Sequence, residues 1–437
     1  MSRTDLPEKF IERMKRQLPE SEWEAFFAIY DEPPKKGVRV NTLKCPVETF
    51  EKIFPLPKKR VPWEADGFLV EAEKTGAHPY HAAGVYYSQE PSAMCAAPLL
   101  DVQKGERVLD LCAAPGGKST KLAAAMQGEG ILVLNEPVYS RAQILSSNVE
   151  RMGITNALVL SAYPEELSAV FLRYFDKILV DAPCSGEGMF RKNAEEALRE
   201  WSEENVALCA KRQSGILDEA TKMLRVGGRL VYSTCTFSYE EDEGQVCDYL
   251  KRHPEMRLLK SEKLYPHKVE GEGHFCALFE KVDGEETCFV RPIKRKVSQA
   301  SERLYRTFEK KFFNTTFAEN LYEAGGMLYA LPDDMPDWKH LKVVRAGVRL
   351  GEIKNVRFEP SHSLAMCAPI RRCKNVVHLS LDDPRVEKYL HGEEIEEDMM
   401  KISDGWCVVA VDGFILGLGR AVRERIKNHL PKGLRKK

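Results

Sequence analysis

The fold is decided by Val108-Leu109-Asp110-Leu111-Cys112-Ala113-Ala114-Pro115-Gly116-Gly117-Lys118-Ser119-Thr120, an apolar run that is followed by small residues. The apolar run predicts a buried strand, and the residues from Ser119 predict a helix that continues to Met126. The two adjacent glycines allow a tight loop whose backbone can approach a ligand closely. Loops that follow the strands of an open parallel sheet lie at its carboxyl edge, where such sheets bind ligands. This stretch therefore predicts a ligand-binding loop.

The loop fails to match two nucleotide-binding motifs, and this limits the classes of ligand that it can bind. Gly117-Lys118-Ser119 imitates the end of a phosphate-binding P-loop, but Cys112 replaces the glycine that this motif requires five positions earlier. The adjacent glycines also break the G-x-G-x-x-G spacing of dinucleotide-binding folds. An NTPase is therefore disfavoured, and a nucleoside-type cofactor remains as the expected ligand. An ordinary turn without a ligand is the alternative.

The composition bounds the class of protein. The chain has 437 residues, of which 43% are hydrophobic and 30% are charged, as expected for two or three well-packed domains. No apolar span is long enough to cross a bilayer and the N-terminus lacks the apolar core of a signal peptide, so we expect a cytoplasmic protein without a membrane partner. Twelve cysteines without a C-x-x-C pair favour free thiols, and we expect no metal site. The net charge is −1, although residues 339–357 and 420–437 are locally basic.

The predicted elements divide the chain into three parts. Residues 1–84 contain helical spacing and a short strand, as in a small α+β module; Arg39 and Asn41 share one face of that strand, with a solvated face as the alternative to a functional role. Residues 85–283 begin with a helix capped by Ser88, alternate strands and helices, and end in a turn followed by an edge strand within residues 270–281. This alternation predicts a doubly wound α/β fold with a parallel sheet. A charged linker leads to a β-rich part over residues 300–437.

Two cysteines follow strands of the predicted sheet. Ile178-Leu179-Val180 leads into Asp181-Ala182-Pro183-Cys184-Ser185-Gly186-Glu187-Gly188, and Leu230-Val231-Tyr232 leads into Ser233-Thr234-Cys235-Thr236-Phe237. In the simplest doubly wound order these strands are neighbours, about 4.8 Å apart, so both thiols emerge over the crevice of the glycine loop. Buried structural cysteines are the alternative. The small and polar residues around each thiol favour a catalytic role instead.

Three motifs in this order resemble the Nop/Sun family of RNA 5-methylcytosine methyltransferases. They are Asp110 to Lys118, Asp181 to Gly188, and Tyr232 to Thr236, and the resemblance covers about residues 85–282. Arg39-Val40-Asn41-Thr42 resembles the family's upstream signature, and Gly351 to Ser363 resembles bacterial members of the RsmF type, which act on small-subunit ribosomal RNA. The resemblance implies a Rossmann-like methyltransferase sheet, an N-terminal α+β RNA-binding module and a β-rich, PUA-like C-terminal RNA-binding domain.

The resemblance also implies a mechanism. Carbon 5 of cytosine is a poor nucleophile, so a thiolate adds to carbon 6 and the activated ring then attacks a methyl sulfonium. By the family pattern Cys235 is this nucleophile and forms a covalent intermediate. Cys184 assists its release by helping to remove the carbon-5 proton. Asp181 contacts the cytosine ring edge, and Lys118 orients the target nucleotide or favours a thiolate.

The implied cofactor is S-adenosylmethionine. Its methionine part is expected to lie near Asp181 and against the backbone of Cys112, Ala113, Ala114, Pro115, Gly116, Gly117 and Lys118. Glu136, which ends the second strand, is expected to bind both ribose hydroxyls rather than to be a solvated loop carboxylate. Arg141 matches a further cofactor position of the family, with an exposed helix residue as the alternative. The family's acidic residue after the third strand is missing from Ser161-Ala162-Tyr163-Pro164, where Tyr163 could stack on the adenine instead.

The sequence therefore predicts methyl transfer to carbon 5 of cytosine in RNA, with 16S ribosomal RNA or the small ribosomal subunit as the partner. We expect a monomer whose N-terminal and C-terminal parts supply affinity for RNA. The target base must leave its stack to reach the site. The alternatives are a methyltransferase that acts on tRNA and a non-catalytic RNA-binding assembly factor with the same fold. The presence of both Cys184 and Cys235 speaks against an assembly factor.

Overall fold

The N-terminal module of the computed structural model is a small antiparallel sheet with short helices. The structure describes residues 3–71, 75–397 and 402–436. The helices are α1 (Glu8–Gln17), α2 (Trp23–Ala28), α3 (Val47–Ile53) and α4 (Pro79–Ala82), and the strands are β1 (Gly37–Val40), β2 (Lys58–Arg60), β3 (Gly67–Val70) and β4 (Tyr86–Ser88). The sheet order is β2-β3-β1-β4. Helix α1 is amphipathic because Phe10 and Met14, one turn apart, are both buried.

The central part alternates strands and helices, as the sequence predicts. Its strands are β5 (Arg107–Asp110), β6 (Ile131–Asn135), β7 (Ala157–Leu160), β8 (Phe175–Asp181), β9 (Leu224–Thr234), β10 (Met256–Leu264) and β11 (His274–Lys281). Its helices are α5 (Ala96–Leu99), α6 (Gly117–Met126), α7 (Tyr139–Met152), α8 (Pro164–Ser168), α9 (Ala194–Glu200), α10 (Glu203–Met223) and α11 (Glu243–Arg252). Within the three described ranges, no helix combines the length and the apolar character that a membrane span requires.

The C-terminal part is rich in strands. Its helices are α12 (Gln299–Phe312), α13 (His362–Cys367) and α14 (Pro384–His391). Its strands are β12 (Leu321–Ala324), β13 (Met327–Ala330), β14 (Val343–Ala346), β15 (Val348–Lys354), β16 (Arg357–Pro360), β17 (Val376–Leu379), β18 (Ile395–Glu396), β19 (Gly405–Val411), β20 (Phe414–Val422) and β21 (Arg425–Asn428). They form a four-stranded sheet, β12-β13-β15-β16, and a five-stranded sheet, β17-β19-β20-β21-β18, while β14 joins the central sheet.

The central sheet has the order β10-β11-β9-β8-β5-β6-β7-β14. Strands β5 to β9 pair in parallel, whereas β10, β11 and β14 pair antiparallel to their neighbours. The chain crosses from one side of β5 to the other between β7 and β8, which creates the crevice at the carboxyl edge that doubly wound folds use for ligands. The predicted fold class, a doubly wound Rossmann-like sheet with a small N-terminal module and a β-rich C-terminal part, is confirmed.

Two local predictions are wrong. Residues 274–281 are not an edge strand, because β11 lies between β9 and β10; the charged and largely exposed sequence of β10 conceals the true edge. Ser88 does not cap a helix. It ends β4, where Tyr86 and Tyr87 pair with Val40 and Arg39 of β1. Pairing between distant strands therefore overrides the local helix-start signal, and the next α-helix begins only at Ala96.

The three parts share cores and are held together by buried polar contacts. The Tyr80 hydroxyl of the N-terminal module donates to Asp412 Oδ2 at 2.6 Å, beside one hydrophobic cluster that includes residues of β1 and β19. Arg345 on β14 donates to Ser146 Oγ on α7 at 3.1 Å. The predicted basic tail extends to Lys437, which lies outside the described residues, but Lys436 pairs with Glu387 at 2.7 Å. The tail is therefore folded against α14 as far as Lys436.

Candidate active site

The glycine loop joins β5 to α6 at the carboxyl edge of the sheet. Gly116 has a φ of +116°, in the left-handed region, and a Cβ there would come within 3.1 Å of Leu145 Cδ1. The loop is held from the N-terminal module by Arg39, which donates to Gly117 O at 2.9 Å and to Gln89 Oε1 at 3.1 Å. Arg39 is fully buried, so the solvated strand face considered as its alternative is wrong. Arg39 instead fixes the position of the loop.

A cleft of about 1140 Å³ runs from the loop along the ends of β6, β8 and β9. Glu136 is buried at its floor, where Oε1 accepts from Val138 N at 3.0 Å and Oε2 pairs with Arg141 at 3.1 Å. Arg141 also donates to Ala114 O at 3.2 Å. Arg141 is therefore more than an exposed helix residue, because it links the glycine loop to Glu136.

The two cysteines that follow β8 and β9 face each other, as predicted. Asp181 of β8 and Ser233 of β9 are in register on the parallel strands. Cys184 comes three residues after Asp181 and Cys235 two residues after Ser233, and their Sγ atoms are 3.4 Å apart. Both thiols line the large cleft, so a role as sealed core cysteines is wrong. A hydrogen bond with Cys235, together with burial, raises the pKa of the Cys184 thiol well above its ordinary value.

An ion pair between the buried Lys118 and the partly exposed Asp181 lies next to the thiols. Lys118 Nζ is 2.7 Å from Asp181 Oδ2, and Asp181 Oδ1 accepts from Ser233 Oγ at 2.8 Å. Burial opposes charge on both partners, but their mutual attraction outweighs it, raising the pKa of Lys118 and lowering that of Asp181. His274 Nε2 lies 3.7 Å from Asp181 Oδ1, and burial lowers the pKa of His274 to about 3, so this histidine is neutral at pH 7.

A second, smaller cavity of about 250 Å³ opens beside the ion pair. It is lined by Lys118, Asp181, Cys235 and His274, among others, and Asp181 and Cys235 also line the large cleft. The carboxylate of Asp181 and the thiols of Cys112 and Cys235 thus lie where the two cavities meet. Such a junction can hold a group donor in the larger space and an acceptor in the smaller one, with Cys235 able to reach the acceptor.

Sequence reasoning missed Asp110. Its carboxyl group is buried at the end of β5, where Oδ2 accepts from Ser119 Oγ at 2.7 Å and Oδ1 has no hydrogen-bond partner among the described residues. Burial raises the pKa of Asp110 to about 7. An orphaned carboxylate oxygen at a cavity wall is costly unless a ligand satisfies it. The sequence signal that could have identified Asp110 as a site residue is its position at the end of the strand that leads into the glycine loop.

Sequence reasoning also missed the supports of the cysteine loops. Glu187, within the loop after β8, accepts from Phe237 N at 2.8 Å and from Ser238 Oγ at 2.7 Å. It therefore ties the loop that carries Cys184 to the loop that carries Cys235. Glu241, which follows the Cys235 loop, also contacts the Cys184 loop, because its carboxylate accepts from Ser185 N at 3.0 Å. Two buried carboxylates thus hold the two thiols in register.

Family models cover almost the whole chain. The model of 16S rRNA methyltransferase RsmB/F matches residues 97–290, and that of the N-terminal domain of 16S rRNA methyltransferase RsmF matches residues 6–91. The first C-terminal domain and the PUA domain of RsmF match residues 307–367 and 376–436. Ribosomal RNA small subunit methyltransferase F of Vibrio campbellii is 32% identical over 98% of this chain and 97% of its own length. The Vibrio vulnificus protein of the same name is 34% identical over 98% and 97%.

The chain belongs to the RsmF family of 16S rRNA methyltransferases. It is thus a methyltransferase of ribosomal RNA that depends on S-adenosylmethionine, as the sequence predicts. Among solved structures, a methyltransferase homologue from Pyrococcus horikoshii aligns with a TM-score of 0.56 and 27% identity, over 63% of this chain and 100% of the other. NSun6 from Pyrococcus horikoshii, solved with SFG, shares the fold with a TM-score of 0.58 at 22% identity, over 64% and 99%.

The residues of this RsmF-family cleft fit S-adenosylmethionine. The cofactor carries a cationic sulfonium and an ammonium group, and the buried carboxyl groups of Asp110 and Glu136 and the partly exposed one of Asp181 lie at the walls of the two cavities. The unsatisfied Oδ1 of Asp110 offers an acceptor for a ligand donor. The cleft is also spacious, since its volume exceeds what drug-sized ligands ordinarily require.

The adenine side departs from the family pattern at the third strand. Tyr163 lines the large cleft and is 66% exposed, so its ring is accessible to a ligand. Glu165 lines the same rim two residues later. An acidic side chain therefore does lie near the end of β7. It is Glu165 in the first turn of α8, whereas the family pattern has an acidic residue directly after the strand.

Proposed function

We propose that this chain methylates carbon 5 of a cytosine in 16S ribosomal RNA through a covalent adduct with Cys235. The observation that carries this proposal is the pair of thiols 3.4 Å apart in the large cleft, one of which, Cys235, also lines the small cavity. Transfer of a methyl group to an oxygen or an exocyclic nitrogen requires no protein nucleophile. Two neighbouring thiols that line the cleft, one of which lines both cavities, are suited to addition and elimination on a pyrimidine ring instead.

Cys235 acts as the nucleophile. Its thiolate forms a bond to carbon 6 of the cytosine, and the electron pair of the carbon 5–carbon 6 double bond then attacks the methyl group. The cofactor, when bound, supplies that methyl group on a sulfonium, from which it leaves readily. Cys235 is the one of the two thiols that lines both cavities, which supports this assignment.

Cys184 assists the second half of the reaction. After methyl transfer, the proton on carbon 5 must be removed so that the double bond re-forms and Cys235 leaves as a thiolate. The hydrogen bond with Cys235 is the largest cause of the raised pKa of Cys184. Formation of the adduct removes that hydrogen bond and so lowers the pKa of Cys184. A larger fraction of Cys184 is then thiolate, the form that can accept the carbon-5 proton at this stage.

Asp181 and Lys118 position the cytosine. The Asp181 carboxylate can accept from the exocyclic amino group of cytosine, which is a donor that uracil lacks, and Lys118 holds this carboxylate ionised. The assignment favours cytosine over uracil at the cavity. The carboxylate also remains ionised through the physiological range, because its pKa is lowered.

The remaining assigned residues bind the cofactor. The loop from Cys112 to Lys118 borders the methionine part, Glu136 accepts from the ribose hydroxyls, and Arg141 orients Glu136. The N-terminal module and the PUA-like part supply affinity for RNA. One chain provides every residue assigned here, which supports a monomer as the working unit.

The test is methylation of defined RNA followed by mapping. Purified protein with S-adenosylmethionine should convert one or more cytosines of 16S rRNA, presented as free RNA or as the small subunit, to 5-methylcytosine, which bisulfite sequencing detects. Cells that lack the protein should lose those signals. If the lost signals lie in tRNA, the substrate assignment is wrong, and if none is lost, the non-catalytic assembly factor is favoured.

A further inference from the structure

A cluster of potential metal ligands lies behind the ion pair and has no part in the proposed reaction. It consists of Cys95, His274 and Cys276, whose ligand atoms all lie within 4.8 Å of one another. The Sγ atoms of Cys95 and Cys276 are 3.1 Å apart. His274 and Cys276 are alternate residues of β11, so their side chains project from the same face of the strand. Cys95 comes from the turn that precedes α5.

The histidine of this cluster lacks the partners that its burial demands. His274 is 1% exposed, and neither ring nitrogen has a hydrogen-bond partner among the described residues. Buried polar side-chain atoms almost always have a partner in folded proteins, and leaving one unsatisfied destabilises the fold. The missing partner is therefore expected to be a group that binds an imidazole nitrogen and lies beside two thiols.

We propose that Cys95, His274 and Cys276 bind one zinc(II) ion. Two sulfur ligands and one imidazole form a donor set that zinc prefers, whereas harder cations such as Mg²⁺ require oxygen ligands. A disulfide between Cys95 and Cys276 would leave both nitrogens of His274 unsatisfied, whereas one metal ion binds both sulfurs and one of those two nitrogens. The cluster thus favours a metal ion over a disulfide.

The two sulfur ligands require only a small adjustment. Two sulfurs bound at about 2.3 Å to one tetrahedral zinc ion are about 3.7 Å apart, so the sulfurs must separate by roughly 0.6 Å. Rotation of the Cys95 side chain, at the start of a short helix, can supply this movement. His274 lines the small cavity, which offers the ion an entry path and room for a water as the fourth ligand.

The charges of the site are also compatible with zinc. Two thiolates neutralise a divalent cation, so the filled site adds no net charge next to the Lys118 ammonium. Lys118 interacts favourably with both thiolates, which helps them lose their protons when the ion binds. Asp181, whose Oδ1 is 3.7 Å from His274 Nε2, is close enough to hydrogen-bond a water on the ion.

The expectation of no metal site came from the absence of C-x-x-C pairs. The C-x-x-C criterion does not detect this cluster, because Cys95 precedes His274 by 179 residues and Cys276 by 181, and the latter two are alternate residues of a strand. Only the pairing of β11 with β9, and the packing of α5 against β9, bring the three side chains together.

The proposal is tested with the full-length chain carrying Cys184→Ser and Cys235→Ser, so that the thiols of the proposed reaction cannot bind the metal. The failure of this proposal is thereby separable from a failure of the proposed function. The protein is reduced, stripped with a chelator and titrated with Co²⁺. One Co²⁺ per chain should bind with a thiolate-to-cobalt charge-transfer band, and Zn²⁺ should displace it. Absence of the band, or a band that survives Cys276→Ser, overturns the proposal.

Matched variants assign the ligands. In the same background, Cys95→Ser and Cys276→Ser should each weaken Zn²⁺ binding by more than about 100-fold, since even the loss of a supporting residue costs 10- to 100-fold. Cys247→Ser, an exposed cysteine on α11, should leave binding unchanged. If the Cys95→Ser or Cys276→Ser variant fails to fold, alkylation of the chain without these substitutions tests the same ligands. Zn²⁺ should protect Cys95 and Cys276 but not Cys247 from a maleimide, read by peptide mass spectrometry, and equal labelling with and without Zn²⁺ overturns the proposal.

Discussion

Replacing Cys184 by alanine should allow Cys235 to attack its cytosine but should block the elimination that releases the enzyme from the RNA. The two sulfurs are 3.4 Å apart, so Cys184 reaches the reacting ring at the same end of the cavity without a water in between. The substitution removes one sulfur from a loop that Glu187 and Glu241 hold in place by other contacts. We therefore expect the fold and the attacking thiol to be preserved.

The size of the effect follows from the role of Cys184. A positioned general base accelerates proton removal by about 10²- to 10⁴-fold, or roughly 3 to 5.5 kcal/mol in the barrier. The loss falls entirely on the elimination step, because addition and methyl transfer use Cys235. The adduct should therefore form at close to the normal rate and decay about 10²- to 10⁴-fold more slowly. Since Cys184 lines the open cleft, the loss of its sulfur should change the free energy of unfolding by only about 1 kcal/mol.

The assay is a single turnover with 16S rRNA or small subunits and S-adenosylmethionine carrying a labelled methyl group. Denaturing gels separate free RNA from RNA bound covalently to protein. Cys184→Ala should accumulate the labelled adduct, Cys235→Ala and the double variant should form none, and Cys247→Ala should behave like the wild type. Wild-type turnover by Cys184→Ala, with no adduct at any time, would refute the division of roles between the two thiols.

Three further outcomes are expected. Lys118→Met should reduce kcat/KM at least about 100-fold and raise the pKa of Asp181, because the ammonium 2.7 Å away keeps that carboxylate ionised; an unchanged pH profile of kcat/KM would contradict this. Arg39→Met should lower the free energy of unfolding by about 2 to 4 kcal/mol in urea titrations and raise KM for S-adenosylmethionine more than it lowers kcat, since the Gly117 carbonyl loses a buried donor; equal stability would count against the anchoring role. Burial raises the pKa of Asp110 to about 7, so the folded chain holds this proton more tightly than the unfolded chain, and stability without cofactor should fall as the pH rises from about 4 to about 7. Asp110→Asn should flatten that decline and exceed the wild type above pH 7 by up to about 4 kcal/mol, and parallel pH profiles in urea would exclude the shift.

Much of the fold was open to sequence reasoning because its signals are local. Short stretches of sequence are enough to predict three of its features: the strand before the glycine loop, the helix from Tyr139 to Met152 and the hairpin at Asp412-Gly413. The neighbouring positions of Cys184 and Cys235 could also be predicted, since both follow strands in the usual doubly wound order. The wrong predictions at Ser88 and at residues 274–281 depend on strand partners from distant parts of the chain.

By itself, the sequence determined which residues carry reactive groups and which strands deliver them, because motif spacing and hydrophobic period are properties of short segments. The tertiary structure alone decided what surrounds those groups. Arg39 reaches the glycine loop from 78 residues away, Glu187 joins the two cysteine loops, and His274 is buried beside two thiols without a hydrogen-bond partner among the described residues. The reason is physical. The cost of burying a polar group depends on every neighbour it acquires, and those neighbours come together only when separate elements pack.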